Sequence, residues 1–322
     1  MGERRTEIRR ATEAVRRNVE APRWGGASAS YQPMGLTVLA SSADPYAARR
    51  AAFRALHESG CFVLPNPWDI GTARYLQHLG FSALATTSAG FAFTRGLPDA
   101  DWAVPRATML AHIAEIVAAT NLPVNADYES GYAHEPEGVA ESVRLCIETG
   151  VAGLSIEDST GDRSKPLYDL PFAVERIRAA RAAVDASGCD VMLTARAECY
   201  LVGHPDSLRE SIRRLQAYAE AGADVLFAPG PRTPEEIRAV VQAVAPKPVN
   251  LIVSNPIGLT VAQVADLGVR RISLGSGLVR AAWGAFMRSA EALTQGRFDP
   301  LGDSRPFTEI NTFFREDLKT RS

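Results

Sequence analysis

The sequence lacks the features that would indicate nucleic-acid binding or membrane insertion. Its 35 Lys and Arg residues nearly balance 37 Asp and Glu residues, so it has neither a basic stripe nor an acidic tail. No uninterrupted apolar stretch approaches the roughly 20 residues that a membrane helix needs. We therefore expect a protein that binds neither nucleic acid nor a membrane.

Cysteine is also scarce. Cys61, Cys146, Cys189 and Cys199 lie far apart, with neither metal-ligand spacing nor a compact disulfide pattern. This spacing is typical of reduced thiols in a cytoplasmic protein.

Residues 1–45 are rich in Arg and Glu near their start and show no apolar core of a signal peptide. We interpret them as an N-terminal extension, either a helical arm or a disordered tail, or as residues upstream of a natural start at Met34. Their glutamates disfavour an organellar transit peptide, which is usually poor in acids.

Regular alternation of short apolar runs with helix-period segments is the strongest signal of the fold. It occurs eight times between residues 61 and 294, and no GxGxxG or GxxxxGK[ST] motif accompanies it. The pattern predicts a single α/β domain, a (β/α)8 TIM barrel over residues 46–322 with a short C-terminal tail. The predicted strands are 61–66, 83–87, 123–129, 153–159, 191–198, 225–230, 248–253 and 271–276. The predicted helices are 70–79, 106–120, 137–149, 170–186, 206–221, 234–244, 261–267 and 278–294.

Acidic residues end two neighbouring predicted strands. Asn125, Asp127 and Glu129 share one face of the third strand. Glu157 shares one face of the fourth strand with Ser155 and Ser159. Glu129 falls either on the strand or in the loop that follows it. If these faces line the barrel, carboxylate oxygens converge at its carboxyl end, where barrel enzymes have their active sites. Such oxygens suit Mg²⁺.

Arg196, at the end of the fifth strand, is the one cation among these inward positions. A guanidinium can grip a carboxylate with two parallel hydrogen bonds, so Arg196 is a candidate for orienting an acidic substrate. The alternative is a buried ion pair with Glu198 or Glu157. His134 and Cys199 are weaker candidates, because a lone loop histidine is commonly solvated and no base accompanies the cysteine.

Several ordered motifs resemble the isocitrate lyase/phosphoenolpyruvate mutase superfamily. They are Thr87-Ser88-Ala89-Gly90 with Leu97-Pro98-Asp99, Asn125-Ala126-Asp127, Ile156-Glu157-Asp158, Thr194-Ala195-Arg196 and Val249-Asn250. The resemblance covers roughly residues 61 to 296. It implies a magnesium-dependent barrel that binds 2-oxo acids and makes or breaks a C–C or P–C bond next to an enolate.

The resemblance also implies a role for each matching residue. Ser88, the amides of Ala89 and Gly90, and Arg196 would bind the substrate carboxylate, and Asn250 would line the pocket. Asp99, Asn125, Asp127 and Glu157 would hold Mg²⁺, for which Mn²⁺ could substitute. Exchange of the last barrel helix, 278–294, between subunits would give a homodimer or homotetramer.

Departures from the family pattern bear on the reaction. Asn125 stands where the family usually has an aspartate. The loop after the fourth strand, residues 160–168, lacks the Cys and His of the isocitrate lyases, and residues 228–230 lack their glutamate. These differences indicate the phosphoenolpyruvate mutase-like branch rather than a true isocitrate lyase. In that branch Lys165 or Arg163 would serve the loop's catalytic role.

Three functions follow from the resemblance. The first is a lyase that cleaves a C–C bond of a small 2-oxo acid such as oxaloacetate through an enolate. The second is P–C chemistry on phosphonopyruvate or phosphoenolpyruvate, for which Arg163, Lys165 or Arg95 would have to reach the pocket. The third is a non-catalytic 2-oxo acid binding protein. A fourth hypothesis, a barrel that binds a phosphosugar, is supported only by Gly275-Ser276-Gly277, which could bind a phosphate at the start of the last helix.

Overall fold

The computed structural model describes residues 44–100 and 102–321. In this part of the chain eight parallel strands form one sheet in the order β1-β8-β7-β6-β5-β4-β3-β2. The strands are β1 (Phe62–Leu64), β2 (Leu84–Ala85), β3 (Val124–Asp127), β4 (Gly153–Glu157), β5 (Met192–Arg196), β6 (Val225–Phe227), β7 (Val249–Ile252) and β8 (Arg271–Ser273). The backbone N–H of Ala85 donates to the Pro65 carbonyl at 3.0 Å, which joins β2 to the end of β1. The predicted (β/α)8 barrel is confirmed.

Helices alternate with the strands. The predicted ones are α2 (Ile70–His78), α4 (Arg106–Ala119), α5 (Pro136–Glu148), α6 (Leu170–Ala186), α7 (Ser207–Glu220), α8 (Pro234–Val244), α9 (Val261–Asp266) and α10 (Gly277–Thr294). Further helical segments are α1 (Ala47–Ala55), α3 (Ser88–Thr94), a 3-10 turn (Asp299–Asp303) and α11 (Phe307–Lys319). Local capping sets several boundaries. At α8, for example, the Thr233 hydroxyl accepts from the Glu236 amide while the Glu236 carboxylate accepts from the Thr233 amide.

The outward side chains of the strands form the main core with the surrounding helices. Ala126, Leu154, Ile156 and Leu193 are fully buried in this layer. Their neighbours in sequence point into the barrel, as strand alternation requires. The two-residue period thus separates a hydrophobic outer core from a polar interior.

The barrel interior changes character from floor to mouth. Phe53 of α1 closes the floor, where it packs with Leu64, Met192 and Val225. The next layer is polar and includes the buried guanidinium of Arg271. Charged side chains at the carboxyl ends of the strands form the top.

The last barrel helix and the C-terminal helix expose unusually large apolar side chains. In α10 only Val279 and Ala292 are buried, whereas Phe286 is 61% exposed and Met287 is 52% exposed. In α11 no described residue is buried as a whole, although the side chain of Asp317 is covered where it forms an ion pair with Arg74 of α2. Contiguous exposed apolar surface commonly marks an interaction site.

The predicted N-terminal extension, residues 1–45, lies outside the described residues except for Asp44 and Pro45. Among the described helices, none combines the length and the apolar character needed to span a membrane.

Candidate active site

A cavity of about 850 Å³ opens at the carboxyl ends of the strands. Residues after every strand except β1 contribute to its wall. The charged groups in this wall are six carboxylates and three arginines: Asp99, Asp127, Glu129, Glu157, Asp162, Glu198, Arg163, Arg196 and Arg232. The cavity therefore lies where a barrel of this type binds substrates.

Ser88 links two carboxylates of the wall. Asp127 is the last residue of β3, and its Oδ2 accepts from the Ser88 amide at 2.9 Å and the Ser88 hydroxyl at 3.0 Å. The same hydroxyl lies 3.2 Å from Oδ1 of Asp99. Because a hydroxyl has only one proton to donate, it cannot satisfy both acids at once. Asp99 and Asp127 thus share a donor and have oxygens left for another ligand.

Arg196, the last residue of β5, lies among three carboxylates. Its Nη1 is 3.1 Å from Oε2 of Glu157 and 3.6 Å from Oδ1 of Asp127, and its Nε bonds Oε1 of Glu198. The ring of Phe227 lies beneath the guanidinium, 5.3 Å from its central carbon. Burial opposes the charge of Arg196, but Glu198, Glu157 and Asp127 outweigh it and raise its pKa. Arg196 therefore remains a cation.

Burial dominates the titration of the facing acid. It raises the pKa of Glu157 well above the ordinary value, although the nearby Arg196 opposes the shift. Glu198, Asp127 and Glu129 raise this pKa further through their like charges. The positive charge of Arg196 alone does not balance the negative charge of these carboxylates. The site therefore favours the binding of a further cation.

Glu129 follows β3 in a left-handed turn, with φ of 47°. This conformation is uncommon outside glycine and carries the side chain into the cavity wall. Its Oε1 accepts from the hydroxyl of Tyr132 at 2.7 Å. Burial raises the pKa of Glu129 to about 7; the bond from Tyr132 opposes the shift, and Asp127 and Asp99 add to it. The sequence left open whether Glu129 lies on the third strand or in the loop after it. The structure places it in the loop, with its side chain on the cavity wall.

Asn125 and Asn250 lie in the polar layer below the cavity and are not part of its wall. Oδ1 of Asn250 accepts from Nε of Arg271 at 2.7 Å, and Oδ1 of Asn125 is 3.5 Å from its Nη1. Thr194 accepts from Nη2 at 3.1 Å. Both amides therefore serve a buried arginine in this structure.

The remaining predicted residues occupy different positions. Ala89 and Ser88 line the cavity. The Gly90 amide donates to Oγ1 of Thr87 at 3.1 Å and so caps α3. Lys165 is exposed and pairs with Asp169 at 2.8 Å, outside the cavity wall.

The donor set suits a hydrated divalent cation. Mg²⁺ usually keeps several waters and takes one or two protein carboxylates directly. Asp99, Asp127, Glu129 and Glu157 offer such oxygens around one side of the cavity. In residues 44–100 and 102–321 no group of three or more His, Cys, Asp or Glu side chains is placed so that it could hold a metal ion. The fit to a hydrated divalent cation therefore rests on the chemistry of these donors, which are carboxylate oxygens on the wall of one cavity.

Several wall residues were not singled out from the sequence as site residues, among them Trp102, Arg232 and Glu198. Trp102 lies in the loop before α4, Arg232 follows β6, and Glu198 is the Nε partner of Arg196. Glu198 was visible from strand parity as a possible ion-pair partner. No local pattern marked Trp102 or Arg232, because loop residues follow no strand or helix period.

Comparison with known proteins identifies the family of this barrel. The model of the phosphoenolpyruvate phosphomutase family matches residues 53–294. The chain belongs to this family. It is therefore an enzyme of the isocitrate lyase/phosphoenolpyruvate mutase superfamily, which includes C–C lyases and phosphonomutases.

Individual relatives agree with the assignment. An uncharacterised protein of Mycobacterium tuberculosis is 34% identical over 263 residues, which cover 80% of this chain and 94% of that protein. A crystal structure of a Burkholderia cenocepacia protein, provisionally assigned as a lyase or mutase, has a TM-score of 0.80 and 48% identity, covering 84% of this chain and 97% of that one. The structure of oxaloacetate acetylhydrolase with its product oxalate has a TM-score of 0.73 and 27% identity, covering 86% and 98%.

Proposed function

We propose that the chain is a Mg²⁺-dependent lyase that cleaves a C–C bond of a small 2-oxo acid resembling oxaloacetate. The carrying observation is the placement of Arg196 beside Asp127 and Glu157 in one cavity at the carboxyl ends of the strands. This arrangement puts a carboxylate-binding cation next to a group of acids that suits a divalent metal.

The residues have separable roles in this proposal. Asp99, Asp127, Glu129 and Glu157 would hold Mg²⁺ or its waters, and Mn²⁺ could take its place. Asn125 stays a predicted metal ligand, but its position below the cavity, next to Arg271, disfavours that role. When bound, the metal would supply positive charge for the oxygens of the 2-oxo acid and for charge that develops during cleavage.

Arg196 would bind the substrate carboxylate through the edge that Glu198 leaves open. Nε of Arg196 bonds Glu198, and its Nη1 lies near Glu157. Nη2 of Arg196 has no partner among the hydrogen bonds of the described residues and can donate to a substrate carboxylate. For oxaloacetate the C3–C4 bond breaks, CO₂ leaves, and the electron pair forms the enolate of pyruvate. A proton then adds at C3. Arg196 stabilises the negative charge of the enolate electrostatically.

Phosphonopyruvate or phosphoenolpyruvate is the second candidate substrate. Arg163 and Arg232 line the cavity, and neither takes part in an ion pair of the described residues. Two such cations could meet a phosphoryl group. Lys165 and Arg95, the other predicted cations, are not part of the wall.

Parallel turnover assays separate these functions. Oxaloacetate and phosphonopyruvate are incubated with the enzyme and Mg²⁺, with the enzyme and a chelator, and with Mg²⁺ alone to correct for uncatalysed decay. The proposal predicts metal-dependent cleavage of oxaloacetate that the Arg196→Lys variant largely loses, because Lys cannot reproduce the guanidinium geometry. Turnover of phosphonopyruvate alone would favour the second candidate. Mg²⁺-dependent oxalate binding without turnover of either compound would contradict the proposed reaction.

A homo-oligomer with exchanged last helices accounts best for the surface of α10. Trp283, Phe286, Met287 and Leu293 are all at least 39% exposed in the isolated chain. A second copy of the same chain could bury them while α10 completes the helix ring of its partner's barrel. A homodimer or homotetramer remains our proposal for the assembly.

A further inference from the structure

Three non-glycine residues with left-handed backbone conformation meet at one side of the cavity. They are Trp102 with φ of 55°, Glu129 with φ of 47° and Tyr132 with φ of 56°. No other non-glycine residue described by the structure has a positive φ. Strained backbone of this kind persists only where surrounding contacts hold it, and it concentrates at functional sites.

The contacts that hold this region join two loops. The indole N–H of Trp102 donates to Oγ of Ser130 at 2.9 Å, and the Trp102 ring lies 4.8 Å from the ring of His134 and 6.2 Å from that of Tyr132. These contacts connect the loop between α3 and α4 with the loop after β3.

The first of these loops carries Asp99. Its side chain is exposed on the cavity wall, and its one hydrogen bond in the described structure is with Ser88. A turn follows at once, closed by the Ala103 amide on the Ala100 carbonyl at 2.8 Å, and Trp102 lies within it. Anchoring Trp102 therefore fixes the position of the carboxylate three residues before it.

We propose that Trp102 is a positioning residue for the metal-side carboxylate Asp99. The indole bond to Ser130 holds the Asp99 loop against the loop of Glu129, so both carboxylates keep their places around the cavity before the cation binds. Preorganisation of this kind improves binding because the loop need not be ordered when the ligand arrives. The inference rests on the proposed Mg²⁺ site.

The test measures binding rather than turnover. Mg²⁺-dependent binding of oxalate is titrated by calorimetry for the wild type, Trp102→Phe, Ser130→Ala and the double variant, and the melting temperature of each is recorded. Trp102→Phe keeps an aromatic ring but removes the indole donor. Tyr75→Phe, which removes a hydroxyl donor from a half-exposed ring on α2 outside the cavity wall, is the matched control.

We expect the dissociation constant to rise about fivefold to tenfold in Trp102→Phe and in Ser130→Ala, which is the range for one lost hydrogen bond. The double variant should bind no more weakly than either single variant, because both remove the same bond. Unchanged affinity in the single variants, with or without a lower melting temperature, would overturn the inference alone. If Trp102→Phe does not fold, Ser130→Ala decides by itself. Failure of the wild type to bind oxalate with Mg²⁺ would overturn the proposed function and the inference together.

Discussion

Substitution of Asn125 by aspartate distinguishes the two roles open to this position. If the position is a metal ligand, the new carboxylate would add a charge to the Mg²⁺ site and tighten binding. If it is a neighbour of Arg271, the carboxylate would instead form a buried ion pair and act on stability. The structure favours the second role, because Asn125 lies beneath the cavity with its Oδ1 3.5 Å from Nη1 of Arg271.

The expected magnitude follows from the state of Arg271. Burial lowers the pKa of this arginine from 12.5 to about 9, and it has no carboxylate partner among the ion pairs of the described residues. A difference of 12.5 − 9 = 3.5 in pKa corresponds to roughly 5 kcal/mol. A carboxylate 3.5 Å away would attract the guanidinium by about 5 kcal/mol at an effective dielectric constant of about 20. Desolvation of the new carboxylate offsets several kcal/mol of this.

We therefore expect Asn125→Asp to stabilise the fold by about 1 to 2 kcal/mol, which corresponds to a rise of a few degrees in melting temperature. The dissociation constant for Mg²⁺ should change by less than about threefold. Calorimetric titration and thermal unfolding give the two quantities, and Asn250→Asp, on the other side of Arg271, should behave alike. Tightening of Mg²⁺ binding by about tenfold or more without stabilisation would refute this reasoning and place position 125 in the metal site.

Three further predictions address the metal site, the floor of the barrel and the assembly. Glu129→Gln should weaken Mg²⁺ binding by about tenfold in calorimetric titration, because the amide lacks the charge that attracts the cation; equal affinity would remove Glu129 from the site. His57 is buried with its ring 4.8 Å from that of Phe53 at the floor. Burial lowers the pKa of His57 from 6.5 to about 3, so the folded state stays unprotonated below pH 6.5 while the unfolded state gains a proton. Stability is then lost as pH falls, by up to about 1.4 kcal/mol per pH unit from this residue, and His57→Gln should show a shallower loss between about pH 6 and 4 in denaturant titrations. An unchanged dependence of stability on pH in His57→Gln would contradict this role of His57. The double variant Phe286→Glu/Met287→Glu should be monomeric by light scattering, whereas Arg209→Glu, at an exposed position of α7, should assemble like the wild type. A wild-type monomer would refute the exchanged helix.

Sequence periodicity located the elements of the barrel well. Each observed strand lies inside its predicted range, and the helices begin and end within one residue of their predictions. α1 and α3 were not predicted. α1 stands outside the alternation of strands and helices, and Arg50 is buried in it although arginine usually indicates a solvent-exposed face. α3 is only one short stretch of small and aromatic residues after β2.

The site was predicted in part for a physical reason. Strand parity tells which face a side chain occupies, and it correctly brought Asp127, Glu157 and Arg196 into one interior. It does not tell the height of a residue along the barrel axis. Asn125 therefore looked equivalent to Asp127, although it lies one layer deeper. Glu129 reaches the wall through a left-handed turn, which strand alternation does not describe.

A crystal structure with Mg²⁺ and oxalate is the measurement that tests the central claim most directly. Our account predicts an oxalate carboxylate on Arg196 and a cation on the side of Asp127, Glu129 and Glu157, bound directly or through water. A site that takes up no cation, with Arg196 still paired to Glu157 and Asp127 and oxalate absent, would contradict it.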